Sequence, residues 1–196
     1  MNILVTGGAG FIGSHLVGFL LSKKHKVVVV DNLSTGRLEN INQFISKITF
    51  INEDLSKKGI WIKALKKIDV VFHLAALADI VPSIKNPDTY FNTNVVGTKN
   101  LIENCIKYNV KKVIYSASSS CYGIPKKYPT DEYEKINPQY PYALTKRIGE
   151  EILLHYGDLY NIKVISLRLF NVYGTKSRTS GTYGAMFGVF LKQKLS

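Results

Sequence analysis

Short apolar runs alternate with longer segments of helical period along this chain. Ile3 to Val5 reads as a buried strand, and Phe11 to Leu21 as an apolar helix. Val27 to Val30 is an unbroken β-branched run, as expected of a strand covered on both faces. Ile48–Ile51, Val70–Leu74, Val113–Ser116 and Val164–Leu169 complete the expected strands, with long helices over about Asp88–Tyr108 and Pro141–Tyr160. In the second of these, Leu144, Ile148, Ile152 and Leu159 form an apolar stripe at helical spacing. Pro82-Ser83 through Asp88 reads as a polar loop with two prolines. Strands alternating with helices predict an α/β fold, a doubly wound parallel sheet covered on both faces.

Composition changes this picture little. The 196 residues are 45% hydrophobic and 20% charged, ordinary values for a soluble domain. No apolar run approaches the length that crosses a bilayer, so no membrane partner is expected. Cys105 and Cys121 make no disulfide framework, and with the first strand starting at Asn2 no targeting segment is expected. Both point to a cytoplasmic location. The net charge of +12 raises the question of nucleic acid. Its lysines, however, are scattered pairs such as Lys23-Lys24 and Lys111-Lys112, without a basic arm or an aromatic-basic ladder. Neither nucleic-acid binding nor a metal site is expected.

The candidate chemistry begins at Thr6-Gly7-Gly8-Ala9-Gly10-Phe11-Ile12-Gly13, between the first strand and the first helix. Gly8, Gly10 and Gly13 match G-x-G-x-x-G; from Gly7 the spacing is G-x-x-G-x-x-G. In either reading the early glycines allow a tight turn and close approach to a pyrophosphate, and Gly13 lets the helix pack on the strand. The phosphates then meet the free N–H groups and positive dipole end of the helix. Asp31 ends the next strand eighteen residues past Gly13. Its carboxylate can accept both hydroxyls of an adenosine ribose and would repel a 2′-phosphate, which favours NAD over NADP. The plainer alternative is an Asp in a strand-to-helix turn.

Further along, Asp54 either accepts a bond from an adenine amino group or caps the next helix. The small residues Ala75-Ala76 let the chain pass close to a cofactor, while His73 reads as a core histidine. Asn94 and Gly97 lie inside a predicted helix, where both are poor formers, so close packing or a specific polar contact is expected there. Ser118, Ser119 and Ser120 follow the fifth strand, at the end that faces ligands in such sheets. Tyr142 and Lys146, four apart, share one helix face.

Taken together, TGGAGFIG, Asp31-Asn32, His73-Leu74-Ala75-Ala76, the serine cluster and Tyr142-x-x-x-Lys146 resemble the extended short-chain dehydrogenase/reductases. Among these the chain is most similar to nucleotide-sugar epimerases of the UDP-glucose 4-epimerase type. The resemblance implies a Rossmann-type fold, NAD as cofactor, a nucleotide-sugar substrate and a homodimer built on the helices 88–108 and 141–160. It implies Ser118, Tyr142 and Lys146 as the catalytic group, with Tyr142 the general base and Lys146 favouring the phenolate while holding the nicotinamide ribose. Cofactor contacts are implied for Gly7, Gly10, Phe11, Ile12, Gly13, Asp31, Asn32, Ser34, Thr35, Gly36, Asp54, Leu55, Leu74, Ala75, Ala76 and Asn94, besides Tyr142 and Lys146. Substrate contacts are implied for Ser83, Ser118, Ser119, Ser120, Tyr142 and Asn171. Ser120-Cys121 stands where the 4,6-dehydratases carry an Asp-Glu pair, which disfavours elimination. Other reactions of the family, and a non-catalytic NAD-binding module, remain as alternatives.

Thr175 stands where the family usually shows Pro. Members also continue well past the position of Ser196 into a smaller domain that holds the nucleotide. The expected organisation is a dinucleotide-binding domain over 1–174 and the start of a substrate-binding region over 175–196, including an apolar segment at Ala185–Leu191. Such a fragment is expected to bind NAD with negligible turnover.

Overall fold

Six parallel strands form one sheet in the computed structural model, which describes residues 1–177, 190 and 193–195. They are β1 (Asn2–Thr6), β2 (Lys26–Val30), β3 (Ile48–Ile51), β4 (Val70–His73), β5 (Lys112–Ser118) and β6 (Lys163–Leu169). Their order is β3-β2-β1-β4-β5-β6. Chain direction across the sheet reverses between β1 and β4, and a crevice opens there at the carboxyl ends, the usual ligand position in this architecture. Thr6 is in register with Val30 on one side and His73 on the other, so the ends that face the crevice are aligned.

Side chains alternate between two buried layers, as the pleat requires. Leu4, Val71 and Val113 point into a layer with Trp61, Leu101, Ile102 and Leu153. Ile3, Val5 and Val29 point into the other, with Val17, Leu20 and Ile41. The helices covering these layers are α1 (Phe11–Ser22), α2 (Trp61–Ala64), α3 (Ile80–Lys85), α4 (Pro87–Phe91), α5 (Gly97–Lys107) and α6 (Pro141–Tyr160).

Two features differ from the sequence expectation. The proline-containing stretch expected as a loop is helical, forming α3 and the start of α4. Pro82 and Pro87 each sit in a first turn, where the N–H that proline lacks has no intrahelical partner anyway. The expected helix 88–108 is interrupted by a π-helical turn at Asn92–Val96, between α4 and α5. Asn94 is buried in that turn, and the Thr98 hydroxyl donates back to its carbonyl at 2.6 Å.

α6 turns a mixed face inward. Its buried residues are Ala143, Thr145, Lys146, Gly149, Glu150, Leu153 and Gly157, whereas Leu144 and Leu159 are exposed. The apolar stripe read from the sequence is thus split: Ile152 packs against the core, while Leu144 and Leu159 point outward. The inner face mixes small and apolar residues with Thr145, Lys146 and Glu150. The apolar segment Ala185–Leu191 lies outside the described residues except for Phe190, as does most of 175–196.

Candidate active site

The glycine loop is held by contacts that leave no room for larger side chains. Gly7 has φ +69°, and a Cβ there would lie 2.7 Å from the Ala75 nitrogen. A Cβ on Gly13 would lie 2.2 Å from the Gly7 carbonyl oxygen. The N-terminus of α1 carries no side-chain cap and no acidic residue in its first turn. Its first N–H groups, from Phe11 and Ile12 onward, are thus free of side-chain partners and favour an anion.

Asp31 is buried at the end of β2, and its carboxylate binds two backbone donors. Ala9 N–H donates to it at 2.9 Å and Leu33 N–H at 2.8 Å. Burial raises its pKa above the usual carboxylate value, while these two bonds pull it down. A carboxylate has about four acceptor positions, so two remain for a diol. Gly36 packs directly against it. A cradle without Cβ atoms, an uncapped helix end and a carboxylate with spare acceptors together fit a dinucleotide.

Asp54 closes a local turn and does not cap the next helix, whose first N–H groups go to Glu53. Its Oδ1 accepts the Ser56 N–H and hydroxyl, both at 2.8 Å, and its Oδ2 accepts Asn32 Nδ2–H at 3.2 Å. Burial pushes its pKa up, but the Ser56 and Asn32 bonds and nearby Lys57 hold it below the ordinary value. Asn32 in turn accepts the Ser34 N–H at 3.0 Å. Leu55 sends its side chain into the core.

Thr6, beneath the loop, accepts the N–H groups of Leu74 and Ala75 at 3.2 and 3.1 Å. It also meets His73 Nδ1 at 2.7 Å, and His73 Nε2 meets the Thr98 hydroxyl at 2.8 Å. Thr98 spends its proton on the Asn94 carbonyl, so it must accept from His73. His73 is therefore the Nε2–H tautomer and accepts the Thr6 proton at Nδ1. Burial, with Lys146 nearby, holds its pKa down to about 3. The core reading of His73 stands.

The Tyr/Lys pair lies at the buried start of α6. Tyr142 bonds the Ser118 hydroxyl at the end of β5. Ser118 in turn lies 2.7 Å from the Ser120 hydroxyl and accepts the Ser120 N–H at 3.2 Å. Lys146 places Nζ 4.2 Å from the Tyr115 ring centroid. Burial lowers its pKa to about 7, against the pull of Glu150. The sequence reading has Lys146 favouring the Tyr142 phenolate. In the structure burial dominates and raises the Tyr142 pKa, with the Ser118 bond pulling it down. A desolvated phenolate is costlier than the favourable neighbours can offset.

Two expected contacts are redirected. Ser83 is fully buried and its hydroxyl is donated to the Ile80 carbonyl at 2.6 Å. The Asn94 amide is committed to Leu77 N–H (2.9 Å), Leu77 C=O (3.0 Å) and the Thr145 hydroxyl (3.1 Å). It braces the segment after β4 against α6. Asn171 is exposed just beyond β6.

Sequence reasoning missed a buried ionic cluster beside the pair. Glu150 accepts from Ser166 Oγ (2.8 Å), Arg168 Nε (3.0 Å) and Arg147 (3.0 Å). Arg168 also donates to the Tyr122 hydroxyl at 2.8 Å and the Glu132 carbonyl at 3.3 Å. Tyr122, Glu132, Glu150, Ser166 and Arg168 line a cleft of about 470 Å³ with Leu169 and Phe170. A lone Arg within an apolar strand and a Glu one turn past Lys146 were the available signals. Among the described residues no group of three His, Cys, Asp or Glu side chains can hold a metal. No described helix is long and apolar enough to cross a membrane.

Residues 3–194 match the model of the NAD dependent epimerase/dehydratase family. The chain is 40% identical over 190 residues to a UDP-glucose 4-epimerase of Mycolicibacterium smegmatis, covering 95% of this chain and 61% of that one. Its structure is similar to a UDP-N-acetylglucosamine 4-epimerase from Methanobrevibacter ruminantium, with TM-score 0.94 and 39% identity, covering 99% and 62% of the two chains. It is also similar to the Thermus thermophilus UDP-glucose 4-epimerase in complex with NAD, with TM-score 0.88 and 38% identity, covering 94% and 60%. The chain thus spans about three fifths of the length of these relatives.

Proposed function

The chain belongs to the NAD dependent epimerase/dehydratase family, and from that premise we propose that it carries the cofactor-binding and proton-handling side of a nucleotide-sugar 4-epimerase. The observation that carries this reading is the convergence of Ser118 at the end of β5 with Tyr142 on α6, and with Lys146 one turn along that helix. NAD, when bound, supplies a hydride acceptor and donor for the sugar C4. Gly7, Gly10, Phe11, Ile12 and Gly13 take the pyrophosphate, while Asp31 and Asn32 take the adenosine ribose. Tyr142 removes the proton from the sugar 4-hydroxyl and Ser118 steadies the reacting oxygen. Lys146 holds the second ribose and favours the phenolate once the site is filled. Ser119, Ser120 and Asn171 orient the sugar. The substrate class is a UDP-hexose or its N-acetyl form, in keeping with what the relatives are named for.

The same reading assigns residues 1–174 to cofactor binding and 175–196 to the start of the substrate-binding region. It also includes a homodimer. α5 and α6 pack side by side, and α6 exposes Leu144, Leu154, Leu159 and Tyr160. An apolar face of this kind suits a two-fold contact between copies. Both cysteines are buried and free, which fits a cytoplasmic setting.

Calorimetric titration with NAD and NADP tests the cofactor reading. NAD is expected to bind at least about tenfold tighter, and equal affinities would remove Asp31 from its role. Interconversion of UDP-glucose and UDP-galactose by the full product of the gene tests the reaction. Tyr142→Phe is expected to lower it by about 10²–10⁴-fold with NAD affinity little changed. Near-normal turnover in that variant would sink the mechanism.

A further inference from the structure

The catalytic pair and the serine turn come from distant parts of the chain. Ser118 ends β5, and the turn it caps runs through Ser119–Tyr122. Tyr142 and Lys146 lie on α6, across an intervening segment that returns close to the turn. Asn137 N–H donates to the Cys121 carbonyl at 2.8 Å, and Gly123 N–H to the Ser120 carbonyl at 3.1 Å. The pairing of Ser118 with Tyr142 needs α6 and this turn to hold a fixed relation.

One charged cluster spans both elements. Glu150 is on α6, one turn past Lys146, and its side chain is almost fully buried. Its Oε1 accepts from Ser166 Oγ at 2.8 Å and Arg168 Nε at 3.0 Å; its Oε2 accepts from Arg147 at 3.0 Å and from Arg168 Nε at 3.3 Å. Arg168 is on β6 and passes the connection onward. Its Nη1 donates to the Tyr122 hydroxyl at 2.8 Å and the Glu132 carbonyl at 3.3 Å, and the guanidinium lies 5.1 Å from the Tyr122 ring centroid. A planar fork with fixed donor directions makes such a bridge; a lysine ammonium does not.

We propose that Glu150 is a positioning residue that acts through Arg168 and Tyr122 to hold the Ser118–Tyr122 turn against the helix bearing Tyr142 and Lys146. This rests on the active-site reading given above. A buried ion pair replaced by apolar residues is often no less stable, so stability alone is weak reason for keeping one here. The Glu150 carboxylate also faces Lys146 within the protein and favours its charged form. The other groups around Lys146 are His73 on β4, Tyr115 on β5 and Tyr142 on α6. His73 is neutral and both tyrosines are protonated near neutral pH, so Glu150 supplies the negative charge. Arg147 and Arg168 pair with it.

The test uses Glu150→Gln and Arg168→Lys in the 196-residue chain, with two readouts. Amide hydrogen exchange at Gly123 and Asn137 reports the turn, and the pH dependence of the NAD Kd between pH 6 and 9 reports Lys146. Glu150→Gln is expected to speed exchange at both amides about tenfold and to move the inflection in Kd down by about one pH unit. Arg168→Lys keeps the cation beside Glu150 but not the bridge, so it should speed exchange and leave the inflection in place. Arg168→Lys alone decides the turn if Glu150→Gln does not fold. Exchange that matches wild type in the folded variants, even with a lowered Tm, would overturn the proposal. If the wild-type chain fails to bind NAD, the cofactor reading falls, while the exchange data still decide whether Glu150 positions the turn.

Discussion

Lys146 holds its Nζ 4.2 Å from the centroid of the Tyr115 ring, a cation set against an aromatic face inside the protein. Tyr115 is itself buried, and its hydroxyl donates to the Lys146 carbonyl at 3.3 Å. The ring gives the ammonium some attraction in place of water, yet burial still lowers the Lys146 pKa to about 7. The protein thus keeps a lysine where it is costly to keep charged.

Lys146→Met should therefore stabilise the chain while weakening NAD binding. The folded pKa is lowered from that of a free lysine, so this group's contribution to stability is present at high pH and is lost as pH falls through about 7. At pH 7 the substitution is expected to add roughly 1–3 kcal/mol. Urea unfolding followed by the fluorescence of Trp61, the sole and fully buried tryptophan, measures this directly. A lower midpoint in Lys146→Met would contradict it.

His73 makes a second pH prediction with the same sign. It is neutral in the fold, with its pKa lowered from 6.5 to about 3, so the unfolded chain binds more protons between those values. Stability should decline as pH falls through this window, by up to about 1.4 kcal/mol per pH unit. His73→Phe removes that slope while costing about 2–4 kcal/mol at pH 7, since Thr6 and Thr98 lose a buried partner. Unfolding curves at several pH values compare the two slopes, and identical slopes would clear His73 of the effect.

The glycine cradle allows a sharper test. Gly13→Ala drives a Cβ to 2.2 Å from the Gly7 carbonyl, a backbone atom that cannot simply rotate away. The loop must shift, with an expected loss of at least about 2 kcal/mol of stability and of measurable NAD binding. Calorimetric titration and thermal melts on one sample check both. Near-wild-type binding would mean that the loop does not carry the pyrophosphate.

Much of this was legible in the sequence, and the reasons are physical. Strand runs such as Val27–Val30 are long and apolar enough to have one solution. The glycine loop and the Tyr142/Lys146 pair are local patterns whose geometry follows from a turn and from one helical period. The Glu150–Arg168–Tyr122 cluster was not legible, because its bonds join residues 18 and 46 positions apart through the register of β6 on β5. The direction in which the α6 stripe points was not legible for a related reason. Leu144 and Leu159 mark an apolar face, but periodicity cannot say whether that face meets the sheet or another surface. Ser83 and Asn94 were placed correctly in the chain, yet their polar groups answer to neighbouring backbone.

The outward apolar face of α6 leads to a prediction about association. Leu154→Glu, on the exposed side of the helix, should leave the fold intact and weaken self-association by at least about tenfold in Kd. Sedimentation across a wide concentration range checks it. A wild-type chain that stays monomeric throughout would rule out α6 as the contact.

On the proposed cofactor reading Asp31 carries two duties in one carboxylate, and this constrains how the chain can change. Its bonds to Ala9 and Leu33 fasten the glycine loop to the end of β2 before any ligand arrives. Attempts to redirect the cofactor preference toward a phosphorylated ribose usually begin by replacing such an acid. Here that replacement also unfastens the loop, so a single exchange should lose one cofactor without gaining the other. A productive route must first supply new acceptors for the Ala9 and Leu33 N–H groups. The cofactor preference of this scaffold is therefore guarded by its folding as well as by its chemistry, and it should resist drift by single substitutions.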